Sequence, residues 1–448
     1  MRLSEMADCL SGQWFGTDIS FRGATNDTRQ LQAGALYVAL VGERFDGHSF
    51  LAAARHAGAA AALVERLVDD PLPQVVVENT KLALGRLAAI WRNRFRGPLV
   101  AITGSNGKTT VKEMVRAILS QEGPTLSTSG NLNNDIGAPL TLLRLEPDIH
   151  HAAIIEMGAN HPHEIAYLAA LAHPTVAVVN NAAPAHLEGF GSLPGVAEAK
   201  GEIYCALSAD GVAVINADDP FAPRWRTLAN GRRVLDFGLT EGALVSARID
   251  EVLGATGGTR LTLQTPLGEC ELTLPLPGRH NVMNALAATA AALGAGASLA
   301  SIHAGLVAMR AVPGRLRPCL GRHGAQLIDD TYNANPASLR AALEVLATFP
   351  GERCLVLGDM AELGRDAATL HAEAGETARR LGIDTLLGCG PLSQGAVAAF
   401  GADARGFADV EHLVTALEKE LRPGLTVLVK GSRSAGMDRV VRELAKAP

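Results

Sequence analysis

Residues 103–110 read Thr-Gly-Ser-Asn-Gly-Lys-Thr-Thr, and their types and spacing point to phosphate chemistry. An apolar run at 98–102 precedes them, and Val111, Met114, Val115, Ile118 and Leu119 follow at helical spacing. The pattern predicts a glycine-rich turn from a buried strand into a helix N-terminus. There, backbone N–H groups and the positive end of the helix dipole suit a polyphosphate. Lys108 would neutralise phosphate oxygens and the Thr109 hydroxyl could ligate Mg²⁺. The common loop G-x-x-x-x-G-K-[ST] needs glycine where Ile102 stands; Gly104 gives the shorter G-x-x-G-K-T-T instead. The mechanism survives this departure, but other residues must decide the reaction.

Several polar residues fall where such a fold places ligands. A strand at 152–157 carries Glu156 at its end, an acid able to hold Mg²⁺ directly or through water; a solvated loop glutamate is the alternative. His186 follows a strand at 174–180 after a short Ala/Pro turn, where a structural histidine is the ordinary reading. Lys200 stands out because a helix over 196–207 puts it on the apolar stripe of Val196, Ile203, Tyr204 and Leu207. A lysine there must snorkel, find a partner or lose its charge. If neutral it is a nucleophile, and with CO₂ it forms a carbamate, a carboxylate-like metal ligand. Asn281 reads as the N-cap of a helix at 282–293, preceded by Gly278-Arg-His280. A strand at 326–329 runs into Asp329-Asp-Thr-Tyr-Asn-Ala-Asn-Pro336, and one at 424–430 into Lys430-Gly-Ser-Arg-Ser434. Both are polar enough to be binding loops rather than plain helix entries, the second supplying cations across a cleft.

The elements that must position these residues are α/β. Strands at 98–103, 152–157, 174–180 and 212–216 alternate with helices, as in a parallel sheet. Residues 244–275 switch to a period of two, with turns at Gly257-Gly258 and Leu267-Gly268, which predicts a small antiparallel insertion. A linker at 312–318 precedes a second doubly wound alternation. Ahead of residue 96, short strands, one of them at 36–40, mix with an Ala-rich helix and a polar loop at 42–48. The expected domains are 1–95, 96–312 and 313–448 of the 448 residues. Net charge is −6 and aromatics are 4%, which argues against a nucleic-acid partner. Six scattered cysteines without C-x-x-C argue against zinc and against a disulfide framework. The uncharged stretch 281–302 is Ala- and Gly-rich and reads as two helices and a turn, so no membrane insertion is expected. No signal-peptide core opens the chain, and a cytoplasmic protein is expected.

Together these strings resemble the Mur ligases, ATP-dependent amide-bond-forming enzymes of peptidoglycan synthesis, over essentially the whole chain. The resemblance implies a UDP-substrate domain, a central ATP-binding domain and a C-terminal Rossmann-like domain. It makes Gly104, Ser105, Asn106, Gly107, Lys108, Thr109 and Thr110 the ATP loop and explains its short form. It implies further nucleotide contacts at His280, Asn281, Asn284, Arg315 and Asp330. Thr109 and Glu156 would hold one Mg²⁺; His186 and carbamylated Lys200 would help hold a second, with Lys108, Glu156, His186 and Lys200 catalytic.

Within the family, the strings at 131–137, 329–336 and 357–364 are similar to those of the member type that adds D-alanyl-D-alanine to UDP-N-acetylmuramoyl-tripeptide. On that reading the UDP end falls to Asp27, Thr28, Arg29, Asp46 and His48. The rest of the substrate set is Asn131, Asn133, Asn134, Tyr332, Asn333, Asn335, Lys430, Ser432 and Arg433. A monomer is expected. The competing readings are a tripeptide-forming or folylpolyglutamate synthase-like sibling, and a nucleotide-switched binding module without ligase chemistry.

Overall fold

The computed structural model describes residues 1–253 and 257–446. Three α/β sheets follow one another along the chain. The first orders its strands Gln13–Phe15, Gln74–Val76, Ala61–Val64, Leu36–Val38, Ala24–Thr25, parallel except for the first. The polar loop expected at 42–48 carries a two-stranded ribbon, Val41–Gly42 with Phe45–Asp46.

The central sheet is wholly parallel, in the order Arg233–Phe237, Val212–Asn216, Val176–Val179, Leu99–Thr103, Ala152–Glu156, Thr125–Ser127. Its middle strands are buried along their whole length, which is why they read as unbroken apolar runs. Leu99–Thr103 is the first of them in the chain and lies between two later ones. Its carboxyl end is therefore a topological switch point, where open α/β sheets bind ligands. The helix Lys108–Leu119 starts there.

The antiparallel insertion is present as Ser246–Val252, Thr259–Thr265 and Gly268–Leu274. Residues 254–256, just ahead of the expected turn at Gly257-Gly258, lie outside the described residues. The third sheet orders Arg317–Leu320, Gln326–Asp330, Leu425–Lys430, Glu352–Gly358, Thr385–Cys389, Ala404–Phe407. All neighbours are parallel except the first pair. Asp330 and Lys430 are register partners at adjacent strand ends.

Three expectations change. The linker at 312–318 runs into an edge strand, Arg317–Leu320; Pro318 is tolerated because edge strands leave donors unpaired. The helix expected over 196–207 is Leu193–Gly201, capped by Ser192 Oγ, and tightens into a 3₁₀ turn at Glu202–Ala206. The helix expected from 282 begins at Arg279, after Gly278 with φ of 94°. Asn281 is thus inside the first turn, not the N-cap; its Nδ2 donates to Pro277 O at 2.7 Å. Among the described residues no helix is long and apolar enough to cross a membrane.

Candidate active site

The loop after Leu99–Thr103 is built around two glycines. Gly104 has φ of 152° and Gly107 of 78°. A Cβ on Gly107 would lie 2.4 Å from Asn284 Oδ1 and 2.5 Å from Asn180 Nδ2, so side chains close over the backbone there. Asn106 is held from three sides. Its N–H donates to Asn181 Oδ1 at 2.9 Å, its carbonyl accepts from Asn180 Nδ2 at 2.9 Å, and its Oδ1 accepts from Asn335 Nδ2 at 2.7 Å. Lys108 Nζ folds back onto Gly104 O at 2.6 Å. Burial lowers its pKa, Glu156 opposes that and Arg315 adds to the lowering, so an anion beside Nζ would favour the charged form.

Two cavities meet at this loop. One, of about 750 Å³, runs from Asn106–Lys108 past Asn133, Glu156 and His186 to Lys81 and Tyr167. The other, of about 340 Å³, is lined by Thr110, His280, Asn281, Asn284, Asp330 and Lys430 among others. Asn106, Gly107, Arg315 and Ser338 belong to both. Arg315 enters from the C-terminal region; its Nη2 donates to Thr109 Oγ1 at 3.4 Å and its guanidinium lies 4.1 Å over the Tyr332 ring.

Glu156 is 2% exposed. Its Oε1 accepts from Asn133 Nδ2 at 2.9 Å, while Oε2 is buried with no hydrogen-bond partner. An orphaned carboxylate oxygen facing a phosphate loop suits a hard cation. Lys200 is 1% exposed, so it does not snorkel. Its Nζ lies 5.8 Å from the Phe190 ring centroid and forms no ion pair among the described residues. Burial first, then Lys108, holds its pKa well below the usual lysine range, which favours the neutral amine that carbamylation requires. His186 has φ of 53°, and its Nδ1 lies 2.5 Å from Glu362 Oε2. Burial lowers its pKa against the pull of Glu362. Among the described residues no three His, Cys, Asp or Glu side chains cluster as a metal cage. Mg²⁺ needs none, since it keeps waters and phosphate oxygens as ligands.

The remaining expected residues divide. Asn134, Tyr332, Asn333 and Asn335 line the larger cavity; Asn131 is exposed and outside both. Lys430 is not a free cation: it is 2% exposed, its Nζ donates to Asp330 Oδ2 at 2.5 Å and to Asn333 O at 3.0 Å, and it forms part of the wall of the smaller cavity. Ser432 is buried, its Oγ donating to Asp359 O at 2.6 Å, and lines neither cavity. Arg433 is exposed, 5.7 Å over the Tyr332 ring. Asp27, Thr28 and Arg29 sit together on a 3₁₀ turn of the first sheet, outside both cavities; Asp27 carboxylate pairs with Arg29. Buried His48 is held by Asp46 at Nδ1 and by the Glu65 N–H at Nε2, so it braces its loop rather than offering a free donor.

Comparison with known proteins decides the family. The description "Mur ligase family, catalytic domain" matches residues 20–92, "Mur ligase middle domain" 102–292, and "Mur ligase, glutamate ligase domain" 314–433. The chain belongs to the Mur ligase family. The UDP-N-acetylmuramoyl-tripeptide–D-alanyl-D-alanine ligase of Escherichia coli K12 is 49% identical over 444 residues, 99% of this chain and 98% of that protein. A crystal structure of MurF from Acinetobacter baumannii is 36% identical with a TM-score of 0.90, covering 98% of this chain and 97% of that one. MurF ligase from Thermotoga maritima in complex with ADP is 29% identical with a TM-score of 0.83, covering 94% and 96%.

Against this Mur ligase frame, two residues were missed by sequence reasoning. Asn180 ties the loop to Asn284; its position at the end of Val176–Val179 was the available signal. Glu362 lies within the 357–364 string, but nothing local shows that it reaches His186 from another domain.

Proposed function

We propose that this chain is an ATP-dependent ligase that joins D-alanyl-D-alanine to UDP-N-acetylmuramoyl-tripeptide, giving the pentapeptide, ADP and phosphate. The observation that carries the reading is the meeting of two cavities at Asn106, Gly107 and Arg315. A nucleotide in the smaller one presents its terminal phosphate to a carboxylate in the larger one. The full-length likeness to the Escherichia coli ligase supplies the substrates.

The γ-phosphoryl group passes to the terminal carboxylate of the tripeptide, forming an acyl phosphate and ADP. The deprotonated amine of the dipeptide attacks that carbon; the C–N bond forms, and the tetrahedral intermediate expels phosphate as its C–O bond breaks. Lys108 and the loop N–H groups take up the charge that moves during transfer. Asn106, held between Asn180, Asn181 and Asn335, fixes the loop across the domain boundary. Arg315, between Thr109 and Tyr332, carries a cation to the same point. Closure of these contacts excludes water from an acyl phosphate that hydrolyses readily.

The metal assignment rests on orphaned Glu156 Oε2 and uncompensated Lys200. Thr109 and Glu156 would hold one Mg²⁺, and His186 with carbamylated Lys200 a second. Bound there, the ions neutralise phosphate charge as Lewis acids. Domain limits near 95 and 312, a monomer and a cytoplasmic location complete the reading.

The test is phosphate release by the purified full chain with ATP. Release should need both D-alanyl-D-alanine and a UDP-tripeptide. Turnover with glutamate and a folate instead would assign a sibling reaction.

A further inference from the structure

Two loops leave the carboxyl ends of adjacent parallel strands in the third sheet, Glu352–Gly358 and Leu425–Lys430. They are tied together where Ser432 N–H and Oγ both donate to Asp359 O, at 3.0 and 2.6 Å. Just beyond the tie the first carries exposed Glu362, with exposed Arg365 and Asp366 on the turn that follows, and the second carries exposed Arg433. Glu362 and Arg433 each reach a residue that lines the larger cavity. Glu362 Oε2 lies 2.5 Å from His186 Nδ1, and Arg433 lies 5.7 Å over the Tyr332 ring.

The Glu362 contact is not a finished hydrogen bond. His186 Nδ1 is buried and has no partner of acceptable geometry, the glutamate included, and the Glu362 side chain remains 51% exposed. Both residues hold left-handed backbone, φ of 53° and 62°, a conformation that non-glycine residues adopt only where surroundings enforce it. Two strained loops from different domains thus converge on one point with a carboxylate that still has free lone pairs.

Each acid that lines the cavity already meets at least one protein donor, although Glu156 Oε2 stays open for the cation assigned to it. Glu156 is buried and bonded to Asn133, Asp135 pairs with Lys81, and Glu164 accepts from the Asn160 N–H. The loop side of the site is otherwise cationic, through Lys108, Arg315 and Arg433. The incoming dipeptide is a zwitterion whose two charged ends are separated by two residues, at most about 7 Å of extended chain. Its carboxylate finds cations in plenty, but its ammonium needs an anion.

We propose that Glu362 receives the ammonium of the incoming dipeptide and places its nitrogen beside the His186 end of the cavity, while Arg433 on the tied loop faces the carboxylate. This rests on the ligase reading above. Contact with His186 is the resting position that the ammonium replaces. Glu362 acts here as a specificity residue for a free amine.

The test compares two ligands that differ only at that amine, D-alanyl-D-alanine and D-lactyl-D-alanine, whose hydroxyl replaces the ammonium. Binding is measured by calorimetry on the full chain with ADP and UDP-tripeptide present. The wild type should favour the dipeptide by about tenfold or more, the worth of a charged hydrogen bond. Glu362→Gln, which keeps size and backbone strain, should shrink that ratio to within about twofold and leave ADP affinity unchanged. Glu362→Asp should recover part of the ratio, and in turnover Glu362→Gln should raise KM for the dipeptide more than it lowers kcat. An unchanged ratio in Glu362→Gln, or equal weakening of both ligands, overturns the proposal and makes Glu362 a domain latch. Wild-type protein that forms no pentapeptide would overturn the ligase reading itself.

Discussion

Lys430 and Lys200 are both buried, at 2% and 1% exposure, and the structure treats them in opposite ways. Lys430 ends a central strand of the third sheet opposite Asp330, with Nζ 2.5 Å from the carboxylate and 3.0 Å from Asn333 O. Lys200 sits on a helix of the central domain with the Phe190 ring beside it and no acid in reach among the described residues. Burial pushes both ammonium groups down; Asp330 opposes this at Lys430, whereas at Lys200 the second influence, Lys108, pushes the same way. A buried cation with its acid is scaffold. A buried cation without one is disfavoured as a charge and available as an amine.

The largest effect expected from this contrast is on Lys430→Met, which strands Asp330 in the interior. Chemical denaturation should show a loss of about 3–5 kcal/mol, and Asp330→Leu added to it should recover most of that. Recovery of nothing would mean that Lys430 acts other than through the pair. Lys200→Ala should instead leave stability near that of the wild type in CO₂-free buffer. It should cut ligation by on the order of 10²–10³-fold, with partial rescue by short-chain carboxylates. Wild-type turnover in that variant would erase the distinction between the two lysines.

A smaller effect links the pair to pH. Burial, with Lys430 adding to it, lowers His280 to about 4. Between pH 6.5 and about 4 the unfolded chain therefore binds the proton and the folded chain does not. Stability should fall through that window as pH drops, by at most about 3 kcal/mol, and His280→Gln should flatten the decline. Lys430→Met should narrow the window from below. Smallest of all, Lys112 is buried at 2% but donates to Thr128 O at 2.7 Å and lies 2.9 Å from the partly exposed Glu113 carboxylate. Lys112→Met should cost about 1–2 kcal/mol in thermal unfolding and leave ligation unaffected.

Residues that act through local pattern were legible before the fold was known. The loop at 103–110 needs only a buried strand, two glycines and a helix start, all contiguous. The misplacement of Lys200 was visible because helical periodicity assigns a face to every position. The pairing of Lys430 with Asp330 was hidden because it spans 100 residues and depends on strand order, which periodicity does not encode. Lys430 accordingly read as a free donor, and Ser432 with it. Asn281 read as a cap because asparagine is a favoured N-cap residue ahead of a helical run, yet Gly278 is where the backbone departs from helix. Glu362 was out of reach of sequence reasoning because its role exists only where two domains meet.

The claim that a missing partner marks the lysine used in chemistry is tested most directly by ¹³C NMR of the full chain in [¹³C]bicarbonate. The wild type should show one carbamate carbonyl signal that disappears in Lys200→Ala and persists in Lys430→Met. No such signal in the wild type, or one that survives Lys200→Ala, would contradict it.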